Sequence, residues 1–121
     1  MITTTAQDNV DLVRRGYEAF NTADLAALTE LMDEHVTWHT PGRSPLAGDT
    51  RNRDETFAQF GRYGEGTGGT FRAEFRSAAG TDDGRVIAMH RNTGERNGRT
   101  LDVDCCIVFE VEDGRIVSGR E

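Results

Sequence analysis

Lysine is missing altogether: all 14 basic residues of this 121-residue chain are arginine. An arginine-only set favours planar, paired contacts with carboxylates over isolated point charges, but it singles out no site. Cysteine is scarce, and its two copies, Cys105 and Cys106, are adjacent. Neighbours in an extended segment point to opposite sides and do not readily close a bridge, so reduced thiols and a cytoplasmic location are expected. No apolar run approaches membrane-spanning length, and Met1 to Gln7 has neither the basic nor the apolar stretch of an export signal. Cationic excess is lacking too. A formal net charge of -7 argues against nucleic acid or an anionic membrane as partner, since both need clustered cations to displace counterions.

What is present suits one domain, long enough to bury a core without staples. Val10, Val13, Tyr17 and Phe20 recur at helical spacing behind Asp8, which can cap the free amides of a first helix. Asp24 caps a shorter second helix with Leu25, Leu28, Leu31 and Met32 on one face. Val36 to Thr40 reads as a strand stopped by Pro41 and Gly42, which start a loop through Pro45 and Gly48. Asn52 and Glu55 form a capping-box variant for a third helix lined by Phe57, Phe60 and Tyr63, which the glycines from Gly64 to Gly69 bring to an end. Phe71, Ala73 and Phe75 then alternate with Arg72, Glu74 and Arg76, as in a half-buried strand. Further strands flank the Asn97-Gly98 and Asp113-Gly114 hairpin signals. The predicted order is helix, helix, strand, helix and four strands.

A two-residue turn at Asn97 and Gly98 fixes the register of its hairpin by counting outward. Val86 then faces Phe109, Ala88 faces Ile107, His90 faces Cys105 and Asn92 faces Val103 on one side of the sheet. Ile87 with Val108, Met89 with Cys106, Arg91 with Asp104 and Thr93 with Asp102 share the other. The first face mixes apolar residues with a few polar groups, as ligand pockets do. The second joins an Arg91–Asp104 ion pair to an apolar cluster that a monomer would leave wet, so a twofold homodimer through the sheet is expected. The same counting from Asp113 and Gly114 places Arg120 on the pocket side and Glu121 outside.

Three segments, Tyr17 to Asn21 through Asp24-Leu25, Val36 to Gly42, and Val108 through Val117, resemble the SnoaL-like and ketosteroid-isomerase-like branch of the nuclear transport factor 2-like (NTF2-like) superfamily. The likeness spans nearly the whole chain. It implies an α+β cone, a curved antiparallel or mixed sheet backed by three helices and enclosing a pocket, often in a homodimer. Relatives usually continue into further strand and an aromatic-rich tail. The resemblance therefore implies that a chain ending at Glu121 lacks the usual end of its last strand, through truncation or because a partner subunit covers the opening.

Because this fold hosts isomerases, cyclases, epoxide hydrolases and binders, the residues must decide. The places where steroid isomerases carry their tyrosine and two aspartates fall here on Gly16, Thr40 and Ile107, none of which can do that chemistry. Arg91, Asp102 and Asp104 are the residue types of a limonene-epoxide-hydrolase-like cluster, but the register points them away from the pocket. That leaves His90 as the candidate base, since its imidazole titrates near neutrality, with Tyr17 or Arg120 as hydrogen-bond donors. Trp38, His39, Thr40, Cys105, Ile107 and Phe109 are the further ligand-binding candidates. A Cys105–His90 thiolate dyad is disfavoured by apolar surroundings. No histidine pair sits at helical ligand spacing, so no metal is expected, and a glycine stretch that follows a helix implies no nucleotide cofactor. The expectation is a cofactor-independent acid/base enzyme of isomerase, cyclase or hydrolase type acting on a small hydrophobic oxygenated molecule. The alternatives are a carrier that binds such a molecule unchanged and a limonene-epoxide-hydrolase-like enzyme using Arg91, Asp102 and Asp104.

Overall fold

A computed structural model describes residues 5–44 and 47–121. Pro45, part of the expected loop after Pro41, lies outside the described residues. In chain order the elements are α1 (Ala6–Asn21), α2 (Leu25–Leu31), β1 (Met32–Thr40), β2 (Gly48–Thr50), α3 (Arg53–Gly66), β3 (Arg72–Gly80), β4 (Arg85–Arg96), β5 (Arg99–Glu112) and β6 (Arg115–Arg120). The strands form one six-stranded sheet in the order β2-β1-β6-β5-β4-β3, antiparallel except for the parallel β1–β6 pair. This is the α+β fold that the resemblance implied.

The helix starts follow backbone-amide satisfaction. Thr5, rather than Asp8, is the first N-cap: its hydroxyl accepts from the Asp8 amide while the Asp8 carboxylate accepts from the Thr5 amide, each at 3.1 Å. Asp8 is thus the reciprocal arm of a capping box one turn earlier than expected. Asp24 and Asn52 cap α2 and α3 as their residue types predict. β1 begins at Met32, directly after α2, and the three-residue β2 arises in the stretch read as loop.

Asn97 and Gly98 both adopt left-handed backbone, with φ of 52° and 79°, as a two-residue type I′ turn requires. All the expected β4–β5 pairs, from Val86–Phe109 to Thr93–Asp102, are present. Consequently Val86, Ala88 and His90 are buried under the helices while Ile87 and Met89 are exposed. Asn21 closes the far end of α1 onto the sheet, its carboxamide donating to the Ala73 carbonyl at 2.8 Å and accepting from the Ala73 amide at 2.9 Å.

The second hairpin departs from simple counting. Asp113 and Gly114 make the expected tight turn, with φ of 49° and 76°, but a bulge follows. Val111 pairs with Ile116 whereas Glu110 pairs with Ser118, so Val117 is the extra residue. Every residue beyond it changes face. Arg120 is therefore exposed and opposite Val108, while Glu121 turns inward, which reverses the expected assignment of these two.

Gly119 lies on the inner face directly beneath Trp38, and a Cβ there would sit 2.3 Å from the indole Cζ3. Gly119→Ala should therefore destabilise the protein by about 1–3 kcal/mol through forced displacement of the indole, as read from urea unfolding.

Candidate functional site

Between the sheet's inner face and the helices lies a cavity walled by Val13, Phe20, Leu28, Phe60, Phe109 and Ile116, among others. Its empty space, open mouth included, is about 510 Å3, of which about 50 Å3 is free to the centre of a water-sized sphere. The space is thus a narrow slot that can take several waters or part of a flat apolar molecule. Five polar side chains line it: Tyr17, Tyr63, His90, Asn92 and Glu121, together with the indole of Trp38.

At its floor Tyr17 Oη lies 2.7 Å from His90 Nδ1, joining α1 to β4 through a buried hydrogen bond. The Tyr17 ring also packs edge-on against Phe75 and Phe109, which fixes the phenol's direction. Asn92, two residues beyond His90 on the same face, donates from Nδ2 to Cys105 Sγ at 3.1 Å. The same carboxamide favours the charged form of His90, against the effect of burial. Tyr17, His90, Asn92 and Cys105 thus form one linked polar row between α1, β4 and β5.

Burial holds His90 below its ordinary value of 6.5, with the Asn92 bond opposing that shift. Burial likewise pushes the Tyr17 phenol up, reinforced by the Glu121 charge, and raises the Cys105 thiol. The neutral forms are favoured throughout, so no thiolate dyad is assembled. Near Thr40 a second network forms: Gln59 Nε2 donates to Thr40 Oγ1 at 3.1 Å, and Tyr63 shares a 2.8 Å hydroxyl contact with the same oxygen. Burial raises Tyr63 to about 12. Glu121 is raised above its usual carboxyl range, again by burial, with His39 pulling weakly the other way.

Tyr17, Trp38, His90, Ile107 and Phe109 meet at the cavity. Thr40 and Cys105 stand behind it, bonded to the lining residues Tyr63 and Asn92. His39 is not part of it: the imidazole pairs with Asp49 across β1 and β2, because its parity is opposite to that of Trp38. Arg120 is excluded by the bulge described above. Arg91, Asp102 and Asp104 lie on the outer face, where Arg91 pairs through two nitrogens with Asp102, its diagonal neighbour, in place of Asp104 opposite. None of the three lines the cavity. Sequence reasoning missed Glu121 and Tyr63 as lining groups; Tyr63 continued the apolar stripe of α3, whereas Glu121 needed knowledge of the bulge. Among the described residues no cluster of three or more metal-ligating side chains occurs.

Residues 13–119 match the model of the SnoaL-like domain. The chain belongs to the SnoaL-like family. Bal32a, from a soil-derived mobile gene cassette, is 59% identical, with a TM-score of 0.92 over 95% of this chain and 88% of its own. An uncharacterized protein of Mycobacterium tuberculosis is 36% identical over 93% of this chain and 86% of its own length. IdmH of Streptomyces antibioticus, a proposed polyketide cyclase, shares the fold at a TM-score of 0.76 and 22% identity, covering 93% of this chain and 88% of its own. NTF2-like proteins from two Burkholderia species share it as well. This SnoaL-like chain is thus a pocket protein of known architecture, and no helix among its described residues is long and apolar enough to cross a membrane.

Because folding holds His90 neutral, its contribution to stability is fully present above pH 6.5 and is lost as pH falls through the lower folded value. Nitrogen-15 NMR should show a neutral His90 imidazole at pH 7 and a titration midpoint below 6.5. The fall in urea stability over that window should be smaller in His90→Gln.

Proposed function

We propose that this SnoaL-like protein is a cofactor-independent acid/base enzyme acting on a small hydrophobic oxygenated molecule, with Tyr17 and His90 as its proton-accepting pair. The observation that carries this reading is the 2.7 Å Tyr17–His90 bond at the floor of an otherwise apolar cavity. A ligand group lying against Tyr17 meets a phenol oxygen whose own proton is already directed at Nδ1. As that oxygen takes a proton from the ligand, the Tyr17 proton passes to His90, and the positive charge rests on an imidazole hydrogen-bonded to Asn92. The burial that disfavours the imidazolium makes the transfer reversible, which suits an isomerisation or a ring closure in which the proton is later returned. Fold kinship with proteins proposed to be polyketide cyclases agrees with this class of chemistry.

The second reading is a binding protein that leaves its ligand unchanged. It is favoured by the predominantly apolar wall and by the buried, hydrogen-bonded state of His90. We also propose that two copies pair through the outer face, where Ile87 and Met89 stand exposed beside Cys106 and Val108.

Deuterium exchange at the enolisable carbon of 2-tetralone in heavy water, followed by NMR, separates enzyme from carrier. The native protein should accelerate exchange, and Tyr17→Phe or His90→Gln should each lower the acceleration by about 10²-fold or more. Binding of the ketone at the cavity without any acceleration would establish the carrier. For the outer face, sedimentation equilibrium should show a dimer that Met89→Lys converts to monomer.

A further inference from the structure

The polar groups of the cavity divide by chemistry as well as by place. On the α1–β4 side stands the Tyr17 oxygen, hydrogen-bonded to His90 Nδ1. On the β1–β6 side stand Trp38 and Glu121. The Trp38 indole nitrogen is buried and has no hydrogen-bond partner among the described residues, leaving a donor that a ligand oxygen would satisfy. Glu121 is anchored by its backbone, its amide donating to the His39 carbonyl at 3.1 Å, while no hydrogen bond to its carboxyl group occurs among the described residues. The pairing of Arg120 with Val108 continues to place Glu121 beside Ile107, on the inner face. Glu121 is thus two strands and one side-chain row from His90, a Cα separation of roughly 12 Å by ordinary sheet spacings.

We propose that Glu121 and the Trp38 indole form a donor pole facing the Tyr17–His90 acceptor pole, so that the cavity selects an uncharged ligand with a carbonyl oxygen at one end and a removable proton at the other. This rests on the acid/base reading of Tyr17 and His90 and adds the group that holds the ligand's oxygen. Burial raises the Glu121 carboxyl above its usual range against the opposing pull of His39, and a protonated carboxyl donates a hydrogen bond where a carboxylate cannot. The titratable groups around it are Tyr17 from α1, Tyr63 from α3, His90 from β4, Cys105 from β5 and His39 from β1. Neither histidine supplies a cation inside the cavity: His39 is paired with Asp49 outside it, and burial disfavours the charged form of His90. A carboxylate ligand would find no partner there, and the arginine on the same strand, Arg120, faces away.

Four probes with one ring system decide the matter: naphthalene, 2-acetylnaphthalene, 2-naphthoate and 2-naphthylmethylamine, with binding read from the fluorescence of Trp38, the single tryptophan. At pH 5 the acetyl compound should bind about fivefold or more tighter than naphthalene, the value of one hydrogen bond. That advantage should fade as pH rises in the native protein and disappear at all pH values in Glu121→Ala. Glu121→Gln, which keeps a donor that does not ionise, should retain the advantage at pH 8. Tighter binding of the amine with rising pH would overturn the proposal, because Glu121 would then act as a carboxylate cation receptor. Equal binding of naphthalene and the ketone, or an advantage indifferent to Glu121→Ala, would overturn it as well. The Tyr17→Phe variant should keep the acetyl advantage while losing 2-tetralone exchange, so failure of the donor pole and failure of the catalytic pair give different results.

Discussion

Two consecutive residues in left-handed backbone, Asn97 and Gly98, determine where every side chain of the longest hairpin goes. The turn sets the pairing of β4 with β5, and the period of two along a strand leaves no intermediate choice. Because Val86, Ala88 and His90 share one parity, the core and the imidazole are placed by the same constraint. A slip of one residue would bury Ile87, Met89 and Arg91 and would turn His90 to solvent. Apolar burial under α1 and the chemistry of the site therefore stand or fall together.

Within the cavity, desolvation is the dominant electrostatic influence. It favours neutral forms of Tyr17, Tyr63, His90, Cys105 and Glu121, and few charges are near enough to oppose it. Hydrogen bonds then decide direction rather than charge. The Asn92 carboxamide, held by Cys105, also acts on the imidazole that Tyr17 bonds, so a residue with no acid or base character helps to hold the Tyr17–His90 pair in place. Cys105 acts in this arrangement as an acceptor that orients an amide, and a nucleophilic part for it has no geometric support.

Much of this was legible in the residues. Apolar spacing located all three helices, because Val10, Val13 and Tyr17 or Phe57, Phe60 and Tyr63 can share a buried face only at helical period. The Asn-Gly turn gave strand register, and with it His90 as an inward group. Three features were hidden for identifiable reasons. Thr5 lies among several threonines, any of which could cap, and the capping box is settled only when Asp8 folds back. The short β2 exists through its pairing with β1, which no local preference announces. The bulge at Val117 has no glycine of its own to mark it, and Ile116 and Val117 both suit either face. That single extra residue exchanged Arg120 for Glu121 in the cavity and so reversed the sign of the charge that counting had placed there. The Tyr17–His90 contact joins residues 73 positions apart, and periodicity shows that both point inward without showing that they touch.

Gly119 carries a consequence for the breadth of the slot. With no side chain on that stretch of β6, the indole of Trp38 settles against bare backbone, so one wall is a rigid aromatic plate resting on the sheet itself. Such a plate has no rotamer to exchange when a guest arrives. Shape discrimination on that side is accordingly inherited from the main chain, and adaptation to thicker molecules would have to come from the opposite, helical wall, where Phe20 and Phe60 pack edge-on against other aromatic rings.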